Sequence, residues 1–196
     1  MSPQTTAVYK MKGSVGRRSA LLADRIEEGA AGLAAFAEGL SESEWGAPVS
    51  GSDRRPVGVI VHHVASVYPI EIDLARAIAS GKAVTDVTWE VVAELNGKHA
   101  QENAKVSKAA AVELLRRNSR EAAAAVRAFT DDELDQAAPF SLSFGAPVTA
   151  QFVIEDHALR RPPRDYSGAR VRAWQLSSPH LVRWHAWHST GRQRPT

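Results

Sequence analysis

The sequence predicts an all-α fold, a bundle of helices followed by an irregular C-terminal tail, and three observations carry that reading. Four long segments repeat apolar residues at three- and four-residue steps, the signature of helices with one buried face. Proline, glycine and capping residues separate these segments, and no alternating stretch reads as a convincing hairpin. The chain has 196 residues, 44% hydrophobic and 23% charged, which is enough for one domain with a sizeable core.

Residues 1–16 read as a flexible leader. The first helix is expected from Arg17 to Leu40, with Leu22, Ile26, Leu33, Phe36 and Leu40 on one stripe. Ser41 and Glu44 have capping-box spacing and start a short turn that ends near Trp45. Pro48, Gly51 and Asp53 break the chain into a loop. Pro56 suits the first turn of a second helix, which should reach Ser80 and stop at Gly81. Pro69 falls inside it and predicts a kink or a local break.

A third helix is expected from Thr88 to Asn103, carrying Trp89, Val92 and Leu95. Lys108 to Phe129 is the strongest helix, with Val112, Leu115, Val126 and Phe129 as its stripe and many alanines. Thr130 reads as the cap of another short turn. Residues 138–147 form a loop. A last helix begins near Val148, contains Phe152, Val153, Ile154 and His157, and ends at Pro162-Pro163. Residues 17–160 thus make the bundle domain.

The tail, 161–196, is a different material. It holds Trp174, Trp184, Trp187, His180, His185 and His188, seven arginines, no lysine and one acid, Asp165. The net charge of +2 is therefore a split: −4 over residues 1–160 and +6 over the tail. The ordinary reading is a disordered or poorly packed extension. An arginine–aromatic arm for single-stranded nucleic acid, a histidine metal cluster and the product of a frame change near Arg161 are the alternatives. The mildly acidic body gives nucleic-acid binding no support.

Absent residue types set limits. There is no cysteine, so disulfides, thiolate ligands and a cysteine nucleophile are excluded. No run of 18 apolar residues predicts a membrane span, and the N-terminus has no signal-peptide pattern, which fits a cytoplasmic protein. No glycine-rich loop follows a strand, so phosphate and dinucleotide sites have no support.

Histidine is the chemistry that remains. At helical spacing His63 lines up with Ile60, Val64, Val67 and Ile70, on the stripe expected to face the core. An inward imidazole needs a partner: a carbonyl, a carboxylate, a water or a metal ion. His62, about 100° round the helix, shares a face with Gly58, Ser66 and Pro69 and reads as partly exposed. His157 follows Val153 by four residues, near an apolar stripe; the ordinary reading is a helix-end histidine on the last carbonyls. His99, in Asn96-Gly97-Lys98-His99, reads as a solvated surface residue.

The stretch Arg55-Pro56-Val57-Gly58-Val59-Ile60-Val61-His62-His63-Val64-Ala65 resembles the second-helix signature of the DinB-like superfamily. Phe129-Thr130-Asp131-Asp132-Glu133-Leu134-Asp135, Ala138-Pro139-Phe140 and Ala150-Gln151-Phe152-Val153-Ile154-Glu155 resemble its later elements, so the likeness covers Arg17 to Arg160. The resemblance implies a four-helix bundle with a long crossover connection. It implies a divalent metal, zinc or nickel, held by one histidine of helix two and two of the last helix spaced His-x-x-x-His. Similar proteins include mycothiol-dependent maleylpyruvate isomerase and thiol S-transferases, which pair the metal with a low-molecular-weight thiol and a small-molecule substrate.

On that resemblance the metal ligands are His63 and His157, with Glu71 and Asp73 as carboxylates that would orient the imidazoles. The residue four past His157 is Arg161, which cannot ligate as a cation. A shifted alignment puts Arg161 and Asp165 in the pair, with Tyr166 beside them. The implied site is therefore incomplete, and a non-catalytic bundle, as a homodimer, is the alternative.

Overall fold

The computed structural model describes residues 16–49 and 53–158. The leader before Gly16 and the tail 161–196 lie outside the described residues. The elements are α1 (Arg17–Glu38), α2 (Glu42–Trp45), α3 (Val57–Ala79), α4 (Trp89–Glu102), α5 (Lys108–Arg127), α6 (Asp131–Asp135), β1 (Ala137–Pro139), β2 (Pro147–Thr149) and α7 (Ala150–Val153). A five-residue π turn, Ile154–Ala158, continues α7.

Local chemistry sets the helix ends where the sequence puts them. Ser41 and Thr130 make full capping boxes with Glu44 and Glu133. Gly81, at φ +75°, closes α3 in the left-handed conformation that glycine tolerates.

Three long helices share one core. α1 and α5 run antiparallel: Glu38 meets Arg116 at 2.8 Å, and Glu27 meets Arg127 at 2.8 Å. α3 and α5 run parallel. At one end Trp45 lies on Gly58, and its indole Nε1 donates to the Val106 carbonyl just ahead of α5 at 2.9 Å. Mid-helix, Asn118 of α5 donates to the Ala65 carbonyl of α3 at 2.8 Å. At the far end Gly81 lies beside Gln136, past the ends of both helices. Parallel neighbours cannot be joined by a tight turn, so residues 80–107, including α4, cross over. α7 and its π turn pack against α3, and the π turn also touches α1, which gives the bundle its fourth position.

Five expectations need correction. α4 is not one of the four bundle helices: none of its residues is buried, and it lies outside the core against α3. Of the kink or local break expected at Pro69, the break does not occur: α3 is helical throughout 57–79. A small antiparallel hairpin is present, β1 with β2, pairing Ala138 with Val148. Its strands are three residues long and each carries a proline, too short to show alternation.

The fourth correction is the register of α3. Its buried line is Val61, Ala65, Tyr68, Ile72, Ala75 and Ile78, while Ile70 is 55% exposed. Val59-Ile60-Val61 fits several faces; the alanines decide, because small side chains let α5 approach. The fifth concerns the absence of an apolar run. α3, at 23 residues and mean hydropathy 1.3, is long and apolar enough to span a membrane by length and composition. Here it is the central helix of the bundle, and its most apolar stretch is half buried.

Candidate functional site: a histidine cluster between α3 and α4

Three histidines meet where α4 leans on α3. His62 Nδ1 lies 2.9 Å from His99 Nε2, a hydrogen bond in which either ring donates according to its tautomer. The planes of these two rings are 24° apart and their centroids 5.0 Å apart, so with nitrogens at 2.9 Å the rings meet end to end. His63 presents its ring at 70° to His99, with centroids 5.2 Å apart. All three imidazoles are half-buried.

Each ring is placed by its helix. His62 and His63 lie on the side of α3 away from its buried line, one on either side of the direction in which α4 lies. His99 belongs to the inner face of α4, in step with Val92, Asn96 and Asn103, which are also half-buried. Asn103 Nδ2 donates to the His99 carbonyl at 2.9 Å and fixes the end of that helix.

Burial lowers the proton affinity of His62 below the ordinary imidazole range. His99 is lowered too, first by burial, then by the charges of His62 and Arg55, with Glu102 opposing them. Arg55 is itself paired: its Nε and Nη2 reach the two oxygens of Asp53 at 2.9 and 2.7 Å. Both imidazoles are thus neutral near pH 7, with lone pairs available.

The expectations for the site sort as follows. His63 is on α3 but about 160° round the helix from Val61 rather than on the buried line, and it is half-buried like His62. His99 is not a solvated surface residue; it is the centre of the cluster. The signal was its seven-residue step from Val92, masked by the polar neighbours Gly97 and Lys98. His157 falls in the π turn that packs on α3, and its side chain lies outside the described residues, as do Arg161, Asp165 and Tyr166. Asp73 pairs with Arg76 at 3.0 Å on the surface and does not reach the histidines. Glu71 is buried next to Tyr68, whose hydroxyl pKa is raised by burial and by that carboxylate.

A three-ligand metal fits the described residues only in part. Among them no group of three His, Asp or Glu side chains is arranged to hold a metal ion.

Comparison with known proteins agrees with this architecture. No curated protein matches the chain. Among solved structures it is similar to YfiT from Bacillus subtilis, described as a probable metal-dependent hydrolase with an unusual four-helix bundle topology. The identity is 16% and the TM-score 0.57, over 87% of this chain and 94% of that one, which establishes a shared fold. The family profile of the DinB superfamily matches residues 25–167, a span that includes α3, the crossover and the π turn. The chain belongs to the DinB superfamily.

Proposed function

We propose that this protein binds a divalent metal ion, zinc or nickel, through His63 and His157, and uses it on a small-molecule substrate. The observation that carries the reading is the packing of the His157-bearing π turn against the His63-bearing helix. π turns recur at functional sites because they re-aim side chains within a helix. The family match spans both histidines, and YfiT, with the same fold, is described as a probable metal-dependent hydrolase.

The chemistry such an ion supplies is acidification of a bound water or thiol. We assign the thiol route, an S-transferase or isomerase using a low-molecular-weight thiol, and the absence of cysteine requires that thiol to come from a cofactor. A cytoplasmic setting goes with it, since such thiols are kept reduced there. On this reading residues 17–160 form the working domain, flanked by the leader and the basic tail.

A second reading is favoured by Arg161, which occupies the position four past His157. With that ligand lost, the bundle is non-catalytic and acts as a homodimer scaffold. Metal analysis of tag-free protein separates the two. Stoichiometric zinc or nickel that is lost in His63→Ala and in His157→Ala supports the metal centre. Metal content that is negligible, or unchanged in both variants, refutes it.

A further inference from the structure

The His63 face of α3 stays apolar well beyond the histidine. His63, Val67, Ile70 and Leu74 follow one another at four- and three-residue steps and lie within about 60° of one another round the helix. Ile70 is 55% exposed, and Val67 and Leu74 are half-buried. Two elements flank this strip. α4 lies on one side, where His99 meets His63 edge to face. α7 lies on the other. Its first residue, Ala150, donates to the Gln136 carbonyl near Gly81, at the C-terminal end of α3. From there α7 and its π turn run back along α3 towards His63. Buried Glu71, about 80° from His63 in the opposite sense from His62, marks the side they cover. The strip is thus the floor of a groove between α4 and α7, open to solvent at Ile70.

The charge of the groove is as informative as its shape. Residues 57–70 of α3 and 136–154 of the hairpin and α7 carry no charged side chain. The inner residues of α4 at this level, Val92 and Asn96, are neutral too. Past α7, Glu155 and Asp156 are acids, and Glu155 reaches Arg25 of α1 at 3.6 Å. Arg55, at the N-terminal end of α3, is held by Asp53. We propose that this groove binds an uncharged apolar part of the substrate, an aliphatic or aromatic group, and holds it against His63. The inference rests on the reading of His63 as a ligand of the reacting metal ion, and it assigns the substrate class: neutral hydrophobic molecules rather than carboxylates or phosphates. A neutral group gains by covering Ile70, two turns from His63, whereas an anion loses its water and meets no cation among the described walls. Ile70 is the residue that sets this preference.

The test is fluorescence titration of tag-free full-length protein with N-phenyl-1-naphthylamine, an uncharged apolar probe. Its relative 8-anilinonaphthalene-1-sulfonate adds one negative charge to the same skeleton. The sulfonate is measured by displacement of the neutral probe, so that its binding to the basic tail does not register. The expected result is one site for the neutral probe, weakened roughly fivefold or more in Ile70→Ser and in Val67→Ser. Affinity should stay within about twofold in Leu21→Ser, which alters an α1 residue of similar exposure, 53%. The sulfonate should compete roughly tenfold more weakly than the neutral probe binds. Neutral-probe affinity unchanged in both α3 variants overturns the proposal, as does a sulfonate that competes equally well. Far-UV circular dichroism checks the fold of each variant; Ile70→Thr and Val67→Thr replace any serine variant that does not fold. Metal content of the same samples separates this inference from the reading beneath it, because Ile70→Ser should keep the metal that His63→Ala loses. Probe binding that depends on Ile70 in a protein without metal refutes the metal centre and leaves the groove as a ligand site. Metal present with probe binding indifferent to Ile70 and Val67 refutes the groove and leaves the metal centre.

Discussion

Asn118 replaces a hydrogen bond that Pro69 removes. In α3 the carbonyl of Ala65 should accept from the backbone N–H of residue 69, and proline has none. The side-chain amide of Asn118, buried on α5, donates to that carbonyl at 2.8 Å. The defect in one helix thus becomes a polar pin to its parallel neighbour, and α3 continues unbroken.

Asn118→Ala leaves the Ala65 carbonyl buried without a donor and should cost about 1–3 kcal/mol. In a Pro69→Ala background the backbone N–H returns, so the same substitution should cost at least 1 kcal/mol less, by about the worth of one hydrogen bond. Urea unfolding of the four proteins gives the coupling energy. Equal costs in both backgrounds would show that the carbonyl is satisfied in another way.

Gly58 is needed for contact rather than for conformation. A Cβ there would overlap the indole of Trp45. Gly58→Ala should push that ring aside, strain its bond to Val106 and destabilise the protein by about 1–3 kcal/mol. Trp45→Phe keeps most of the packing and loses the hydrogen bond, so it should cost roughly 1 kcal/mol. Denaturant midpoints rank the two.

Acid should loosen the ends of the bundle through two carboxylates. Arg18 holds Asp135 below its ordinary 3.8, and Arg127 holds Glu27 below its ordinary 4.5. A carboxylate whose folded pKa is lowered adds stability that is complete above its unfolded value. That contribution drains away as pH falls from about 4.5 through the lowered folded values. Arg18→Met and Arg127→Met should flatten this acid limb by lowering stability above about pH 5 while leaving it unchanged near pH 2, and the change should be small because exposed pairs are screened by solvent. Thermal melts between pH 2 and 7 read the slope.

The proposed metal centre makes its own prediction through Arg161. Arg161→His restores the His-x-x-x-His spacing with His157. It should raise zinc affinity at least tenfold. Calorimetry against His63→Ala, in which the gain should vanish, checks it.

Much of the scaffold was legible because its signals are local. The caps Ser41, Thr130 and Gly81 and the stripe of α5 depend on residues a turn apart, and they stand where the sequence puts them. The register of α3 was not legible, because a helix apolar on most sides presents several candidate faces. Only its neighbours choose among them. Taking His63 as a marker of the inner face misplaced Ile70. His99 was judged by the residues beside it in the chain, when its partners lie 37 residues away. The bundle's fourth position was misassigned for a related reason: α4 is long and amphipathic, and length does not reveal that a segment is a crossover.

That crossover has a further consequence. A helix with no buried side chain contributes little to the global unfolding free energy and opens by itself. Amide protons of α4 should therefore exchange with deuterium well before those of α3 and α5, as a separate cooperative unit. The hydrogen bond between His62 and His99 is the clasp on that unit, so His99→Ala should speed exchange throughout residues 89–102 and leave the interior rates as they were.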